Sequence, residues 1–411
     1  MTRAADAVVI GSGSLGSATA FHLAARGKHV VLLDKSDLAS QSSARAAGLA
    51  QQVQVDDVLA GLAVRGVDAL MAFAENTGVE LAVVVNGSIK IARNEHDAAQ
   101  LREEVRRGAA LGADIEMVSP SAAARFAPWL QPGGALALSY NPNDLYIEHP
   151  ATLPHAFIAA LRNRGGEALD HTEVTDVVLE NGAVAAVETT GGRIETAVVV
   201  DAAGAWTRIV GELVGRAVAL WPVRHQLFIT EPLAEVDPRH ATVRVMDAKV
   251  YVRPARGGLM LGAYEPDPLV LDPRDRPAGF DIAAMELDLR PLETTARSVA
   301  AELPIFQRAK VAELRGGLPT MTPDGHFLVD RMPGVTGFYV ASGCNVGGLS
   351  ISPPLGEDLA RWITDVSARP DTLEPFRIDR FDGLFPGEAQ LRDACVATYT
   401  HKYDEEEVVR L

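Results

Sequence analysis

Ala7-Val8-Val9-Ile10-Gly11-Ser12-Gly13-Ser14-Leu15-Gly16, with Asp34 further on, is the stretch on which the reading of the whole chain turns. Ala7–Ile10 is a short apolar run of the kind a buried parallel strand requires. Gly11, Gly13 and Gly16 form G-x-G-x-x-G, Leu15 to Ala25 reads as helix, and His29–Leu33 is a second apolar strand closed by Asp34. Gly11 permits the tight strand-to-helix turn, Gly13 admits a pyrophosphate to the backbone, and Gly16 lets helix and strand pack closely. The helix N-terminus offers amide hydrogens and a positive dipole end to phosphates. A carboxylate at Asp34 suits a ribose hydroxyl pair and disfavours a 2′-phosphate, so FAD or NAD is expected rather than NADP.

The chain has 411 residues, 47% of them hydrophobic, with 24 prolines, which suits a large-cored enzyme of two interleaved domains. The formal charge of −16 argues against nucleic acid and anionic membranes, which need basic patches. Cys344 and Cys395 are the only cysteines, so neither a disulfide framework nor a cysteine metal site is expected. No stretch approaches the roughly 20 apolar residues of a membrane-spanning helix. Arg3 is followed by a strand and a glycine loop rather than an apolar run with a cleavage site, so the expected location is cytoplasmic.

Ser36–Gln52 is rich in small and polar residues and suits either a loop that wraps a bulky ligand or a merely flexible one. Val58–Asn76 has a helical apolar face, Val79–Ile91 alternates like a hairpin about Asn86-Gly87, and Glu95–Leu111 is a charged helix. Ser119-Pro120 starts another helix, Tyr140–Pro150 reads as loop, and Ala151–Arg164 as helix. His171–Leu179 and Ala183–Thr189 are strands joined at Asn181-Gly182, and Val198–Val200 is a buried strand breaking at Ala203-Gly204. Trp221–Thr230, Thr242–Arg253, Leu259–Ala263 and Lys310–Leu318 predict a more antiparallel second unit, interrupted by a helix over Met285–Leu303. Gly337–Gly343 is another buried strand running into glycines, followed by a helix over Pro354–Ile363. Residues from about 366 read as an irregular tail whose Asp404–Glu407 run is a solvated face.

Taken together, Val9–Gly16, Asp34, Ser42–Gly48, Val200–Trp206, Tyr251–Pro254, Gly262–Pro266, Thr322–Gly325 and Gly337–Gly356 form a pattern across residues 5–365. This pattern resembles the FAD-dependent amine oxidoreductases of the D-amino-acid oxidase superfamily, and within them the sarcosine and dimethylglycine oxidase/dehydrogenase branch. The resemblance implies an α/β fold, with a doubly wound, Rossmann-like FAD domain interleaved with a mixed or antiparallel-sheet α+β substrate domain. It places the FAD domain at 1–80, 145–220 and 315–365, the substrate domain at 81–144 and 221–314, and a tail at 366–411.

The implied cofactor set comprises Gly11, Ser12, Gly13, Ser14, Leu15, Gly16, Asp34 and Lys35 from the first unit. Ser42, Ser43, Arg45, Ala46, Ala47, Gly48 and Leu49 would follow the pyrophosphate and flavin. Val174 would meet the adenine through its backbone, near Ala203, Gly204 and Trp206. Gly317, Gly343, Asn345, Val346, Gly347, Gly348, Leu349 and Ser350 would close on the flavin, with a helix dipole stabilising negative charge on it. Covalent members of the branch attach FAD through a histidine where Arg45 stands or a cysteine near Gly317, so non-covalent FAD is expected. Met260 stands where sarcosine oxidases carry a lysine, and Pro319 where glycine-oxidase-like members carry an arginine. Carboxylate binding would then fall to Arg253, Arg315 or Arg45, unless the substrate lacks a carboxylate.

His225 matches an active-site histidine of the dimethylglycine branch and suits either an amine-handling imidazole or a strand histidine bonded to backbone. Tyr251 and Tyr264 suit either substrate-facing hydroxyls or aromatic packing. Arg253 suits a bidentate carboxylate clamp or an exposed strand position. No metal cluster has ligand spacing. The expected reaction is oxidation of a C–N bond in a secondary or tertiary amine, such as an N-methylated amino acid, through an imine, with O2 or another carrier as acceptor. The alternatives are a D-amino-acid or hydroxyproline-type dehydrogenase, a 2-hydroxy-acid oxidoreductase, and a non-catalytic flavin-binding subunit of a heteromeric amine oxidase. The oligomeric state is left open.

Overall fold

A computed structural model describes residues 3–54, 56–365 and 369–402. Its central sheet runs in the order Glu167–Leu169, Val30–Leu33, Ala7–Ile10, Val199–Asp201, Phe338–Ser342, Leu328–Arg331. Every neighbouring pair is parallel except the last. Ala7–Ile10 and Val30–Leu33 are buried on both faces, which is why they read as unbroken apolar runs. Their registers bring Ile10, Leu33, Asp201 and Val340 to one edge, where strand order reverses and a nucleotide belongs.

Helix Ser14–Ala25 starts from that edge and buries ten of its 12 residues, so it lacks an amphipathic stripe and reads as core. It lies against helix Gly348–Asp365. A Cβ on Gly356 would press to 2.8 Å from the Thr19 nitrogen, so that helix contact needs a glycine. Apolar clusters cover both faces of the sheet, one built on Val9, Leu32 and Leu359, the other on Val8, Val31 and Phe338.

Beside it stands an eight-stranded sheet, ordered Val311–Gly317, His225–Thr230, Gly258–Ala263, Val250–Ala255, Thr242–Val245, Ser88–Ala92, Ala137–Asn141, Glu116–Met117. Only the Thr242–Val245 and Ser88–Ala92 pair is parallel. A smaller sheet carries Val174–Glu180 and Ala183–Thr189, joined as expected at Asn181-Gly182, both with positive φ.

The structure departs from expectation at several elements. Val79–Ile91 is not a hairpin: Val84–Val85 pairs with Leu145–Tyr146, while Ser88–Ala92 joins the large sheet, so Asn86-Gly87 passes the chain between sheets. Tyr140–Pro150 is not all loop, because strand Ala137–Asn141 runs into it and Leu145–Tyr146 pairs on both sides. Thr242–Arg253 is two strands, reversing at Met246–Lys249 with Lys249 at φ +51 and no glycine or proline to mark the turn. Helix Met285–Leu303 shortens to Leu289–Ser298, capped by the Asp288 carboxylate on the Arg290 amide. The helix predicted over Pro354–Ile363 begins at Gly348 and accommodates two prolines. The Ser352 hydroxyl donates to the Leu349 carbonyl that Pro353, lacking an amide hydrogen, leaves over. The tail from 366 is not irregular throughout, since Glu388–Thr400 is a helix whose Cys395, Thr398 and Tyr399 are buried. Asp404–Glu407 lies outside the described residues.

Asp201, at the strand edge, is fully buried; its Oδ1 accepts the Ala203 amide at 3.0 Å while Oδ2 has no partner. Burial pushes its carboxyl up to about 8. The folded protein therefore holds a proton that the unfolded chain releases, so this group's contribution is fully present below about pH 4 and lost as pH rises towards 8. Asp201→Asn needs no such proton. Thermal melts should show it gaining on the parent by an amount on the order of 5 kcal/mol at pH 8, vanishing near pH 4. A gain independent of pH would contradict this account.

Candidate active site

The glycine turn, the Ser42–Arg45 segment and the edge of the large sheet enclose one cleft. Gly11 has φ +101, and a Cβ there would stand 2.5 Å from the Ala202 carbonyl, so backbone alone fits between the two strands. Gly13 caps helix Ser14–Ala25 without a side chain, and the Ser14 amide donates to Ser43 Oγ at 3.0 Å. Ser42 Oγ in turn accepts the Leu318 amide at 3.1 Å. One short segment thus ties the nucleotide-side helix to the end of strand Val311–Gly317 and roofs the space between.

That space amounts to about 1490 Å3, including its open mouth. Of the expected cofactor residues, Gly13, Ser14, Leu15, Ser42, Ser43 and Arg45 line it. So do the backbone run Ala46, Ala47, Gly48 and Leu49, with Gly204 and Gly317, and the opposite wall Asn345, Val346, Gly347, Gly348, Leu349 and Ser350. The remainder lie beyond the lining. Gly11, Ser12 and Gly16 form the turn itself, and Gly343 supports the loop behind it. Asp34 accepts the Ser12 amide at 2.9 Å and the Ser36 amide at 2.9 Å. Lys35 sits 4.2 Å above the Trp206 ring, with Ala203 preceding that turn and Val174 opening a neighbouring strand.

The cleft fits a flavin dinucleotide on its own chemistry. Arg45 Nε is buried without a partner and Gln51 Nε2 likewise, both on residues that line it. Their donors stand ready for a ligand rich in acceptors. The opposite wall is held under backbone strain, with Asn345 at φ +44 and the β-branched Val346 at φ +65. The Asn345 amide fixes this loop by donating to Gly343 O at 2.7 Å and Thr322 Oγ1 at 3.0 Å, and accepting the Thr322 amide at 3.0 Å.

On the large-sheet side, His225 is paired in register with Gly317, and Tyr251 with Gly262. Only a glycine at 262 leaves room for the Tyr251 ring. His225 Nε2 lies 2.9 Å from Tyr251 Oη and Nδ1 lies 2.9 Å from Tyr399 Oη. Tyr264 stacks obliquely on His225 at 4.9 Å between ring centres. Burial, with the Arg244 charge adding to it, pushes His225 down to about 4, so the imidazole is neutral across the ordinary range.

Arg253 does not reach the cleft, which corrects the clamp expectation. Its side chain is 0% exposed, pairs with Glu148 at 3.0 Å, donates to the Ala47 carbonyl at 2.7 Å and lies over the Tyr146 ring. It therefore braces the Ala46–Leu49 backbone from behind. Arg315 is likewise engaged, with Glu313 at 2.7 Å, and lies outside the lining. Sequence reasoning missed Lys90, Arg244 and Lys402, which do line the cleft. Together with Arg45 they give the wall four cationic residues, and no Asp or Glu lines it among the described residues, although acids outnumber bases 54 to 38 in the chain. Lys90 is held by Glu104 at 2.5 Å. Burial pulls Lys402 down to about 8. The one signal for Arg244 was its position between Val243 and Val245 in the Thr242–Val245 strand.

The family model for DAO, FAD dependent oxidoreductase, matches residues 6–362. Mitochondrial sarcosine dehydrogenase of Mus musculus is 29% identical over 408 residues, covering 97% of this chain and 44% of that protein. Mitochondrial dimethylglycine dehydrogenase of Homo sapiens is 28% identical over 402 residues, covering 95% and 46% respectively. This chain therefore spans less than half the length of those relatives. The crystal structure of L-proline dehydrogenase from P. horikoshii superposes with a TM-score of 0.82 at 22% identity, covering 93% of this chain and 99% of that one. The fold is shared with that structure. No helix among the described residues is long and apolar enough to cross a membrane.

Proposed function

The chain belongs to the DAO family of FAD-dependent oxidoreductases, and on that basis we propose that it oxidises a C–N bond in a secondary or tertiary amine that also carries a carboxylate, such as an N-methylated amino acid. The observation that carries the reading is the wall itself: a neutral His225 between two tyrosine hydroxyls, set among cations, with no Asp or Glu lining it among the described residues. The names of the sarcosine and dimethylglycine dehydrogenases support the same substrate class.

When bound, FAD supplies the two-electron acceptor for the hydride leaving the carbon beside nitrogen. The protein's part is to hold a free-base amine, since an ammonium has no lone pair with which to assist that departure. A wall of cations raises the cost of an ammonium and favours the neutral amine. Tyr251 and Tyr264 present hydroxyl-bearing rings to the cleft. We assign carboxylate recognition to Arg244 and Lys402, in place of Arg253, Arg315 or Arg45. Arg45 is better matched to the pyrophosphate and flavin, and with Arg45 and Gly317 where other members carry attaching residues, the cofactor is held without a covalent bond.

The test begins with the visible spectrum of the purified protein before and after acid precipitation, where the expected outcome is flavin released wholly into the supernatant. Anaerobic addition of N-methyl amino acids should bleach the flavin, with formaldehyde formed on turnover. Removing the carboxylate, as in dimethylamine against sarcosine, should cut kcat/KM at least about a hundredfold, as expected when buried cations lose their partner. Bleaching by D-amino acids or proline derivatives without formaldehyde would move the substrate to a primary or cyclic amine. Bleaching by 2-hydroxy acids alone, or by nothing, would overturn the amine reading.

A further inference from the structure

Three strands of the large sheet set Tyr251, Arg244 and Lys90 side by side, Tyr251 paired in register with Arg244 and Arg244 with Lys90. Register partners share a face of the sheet, and all three residues line the cleft. Neighbouring strands are ~4.8 Å apart, so Lys90 stands one spacing beyond Arg244 and two beyond Tyr251. Glu104, itself buried, accepts from Lys90 Nζ at 2.5 Å, which holds the ammonium in place and leaves it further hydrogens to donate. Gln51 meets this end of the row. Alternate residues Leu49, Gln51 and Val53 line the cleft, while Gln52 turns inward, its Oε1 accepting from Asn141 at 3.1 Å. Gln51 is 5% exposed, and its Nε2 has no partner among the described residues.

Two ties bring the Gln51 segment to Lys90. Asp144 accepts the Gln52 amide at 2.9 Å and the hydroxyl of Ser88 at 2.5 Å, two residues before Lys90 on the same strand. Arg107 donates to the Gln54 carbonyl at 3.1 Å from helix Glu95–Ala110, the helix whose Glu104 holds Lys90. Lys90 Nζ and Gln51 Nε2 only donate, so the group they suit accepts more than one hydrogen bond. A carboxylate does so, and the Arg244 charge one strand away adds to its attraction. The carboxylate assigned above to Arg244 and Lys402 accounts for neither Lys90 nor Gln51. We propose that Lys90 and Gln51 form a second carboxylate subsite, and that the substrate is an N-substituted amino acid whose two carboxylates are joined through three carbons, as in N-methylglutamate. Carboxylates so joined span about the strand spacing from Arg244 to Lys90. The proposal rests on the amine reading for the group that is oxidised, and on the cleft alone for the group bound at Lys90.

The test is isothermal titration calorimetry of the FAD-loaded protein with glutarate against valerate, the monoacid of the same chain length. Glutarate should bind about a hundredfold tighter, as for buried hydrogen bonds to a charged group. Gln51→Leu should cut that preference about tenfold, with the parent's flavin content. Lys90→Met should abolish it, made together with Glu104→Gln so that no buried carboxylate loses its partner. On turnover, N-methylglutamate should exceed N-methylnorvaline in kcat/KM by about the same hundredfold. Equal binding of the two acids by the parent, or an undiminished preference in either variant, would overturn the proposal. The parent titration decides even if a variant fails to fold. A glutarate preference that falls in the variants while no amine bleaches the flavin would remove the amine reading and leave the subsite standing. Bleaching by N-methyl amino acids with no preference for the diacid would do the reverse.

Discussion

Gly16→Ala should yield a protein that retains little or no flavin. A Cβ at this position would overlap the Gly11 carbonyl oxygen and stand 3.1 Å from Ala202 Cβ. The first obstacle is backbone, so no side chain can swing aside. Relief requires the helix Ser14–Ala25 to lift from the strand edge, which opens the turn that faces the pyrophosphate. Overpacking of this kind costs about 1–3 kcal/mol, and more where backbone must move, against a total stability of about 5–15 kcal/mol. The variant should purify colourless with a depressed Tm, or fail to accumulate. Gly61→Ala provides the opposite control: it lies within helix Asp57–Met71, and nothing stands within 4 Å of the place its methyl would take. It should keep its flavin and gain about 0.5–1 kcal/mol. Flavin-to-protein absorbance and thermal melts measure both. A Gly16→Ala protein with one flavin per chain and the parent's Tm would defeat this view of the turn.

How far such features could be read in advance depended on where their cause lies. The glycine turn and the strands Ala7–Ile10 and Val30–Leu33 were legible because local sequence determines them: burial on both faces demands continuous apolar residues, and the turn admits only glycine. Non-local pairing hid the rest. Asn86-Gly87 carries a hairpin signal, but its flanking strands find better partners in two different sheets. Arg253 looked like a clamp beside Tyr251, yet its fully buried side chain turns to Glu148, a hundred residues away in sequence, and to the Ala47 carbonyl. The C-terminal helix went unread because only three of its 13 residues are buried, too few for an apolar stripe. With it Tyr399 and Lys402 were missed, and these bring the chain's last described residues to the wall of a cleft founded on its first strand.

Tyr251→Phe should lower the rate of anaerobic flavin reduction by about a hundredfold while leaving flavin content unchanged, the loss expected for an oriented hydroxyl that acts on the reacting amine. The ring stays, since Gly262 leaves room for it, so the substitution removes the hydroxyl without reshaping the cleft. The pH dependence sharpens the expectation. Burial pushes His225 down to about 4, and below that value both its nitrogens are donors, so Tyr399 and Tyr251 must both accept. Between about 4 and the ordinary histidine value of 6.5 the folded protein binds fewer protons here than the unfolded chain, so stability falls as pH falls across that window. Above it the imidazole no longer changes charge. The parent's kcat/KM should therefore rise with pH according to the amine's own ionisation, moving when the substrate's pKa is moved by substitution, with no fixed step near 6.5. Tyr251→Phe should scale that profile down without shifting it, because in the proposed function the cationic wall selects the free amine and the hydroxyl acts after it is bound. A step near 6.5 that stays put across substrates would mean that His225 gains and loses a proton during turnover, and would replace selection of the free base with deprotonation in the site.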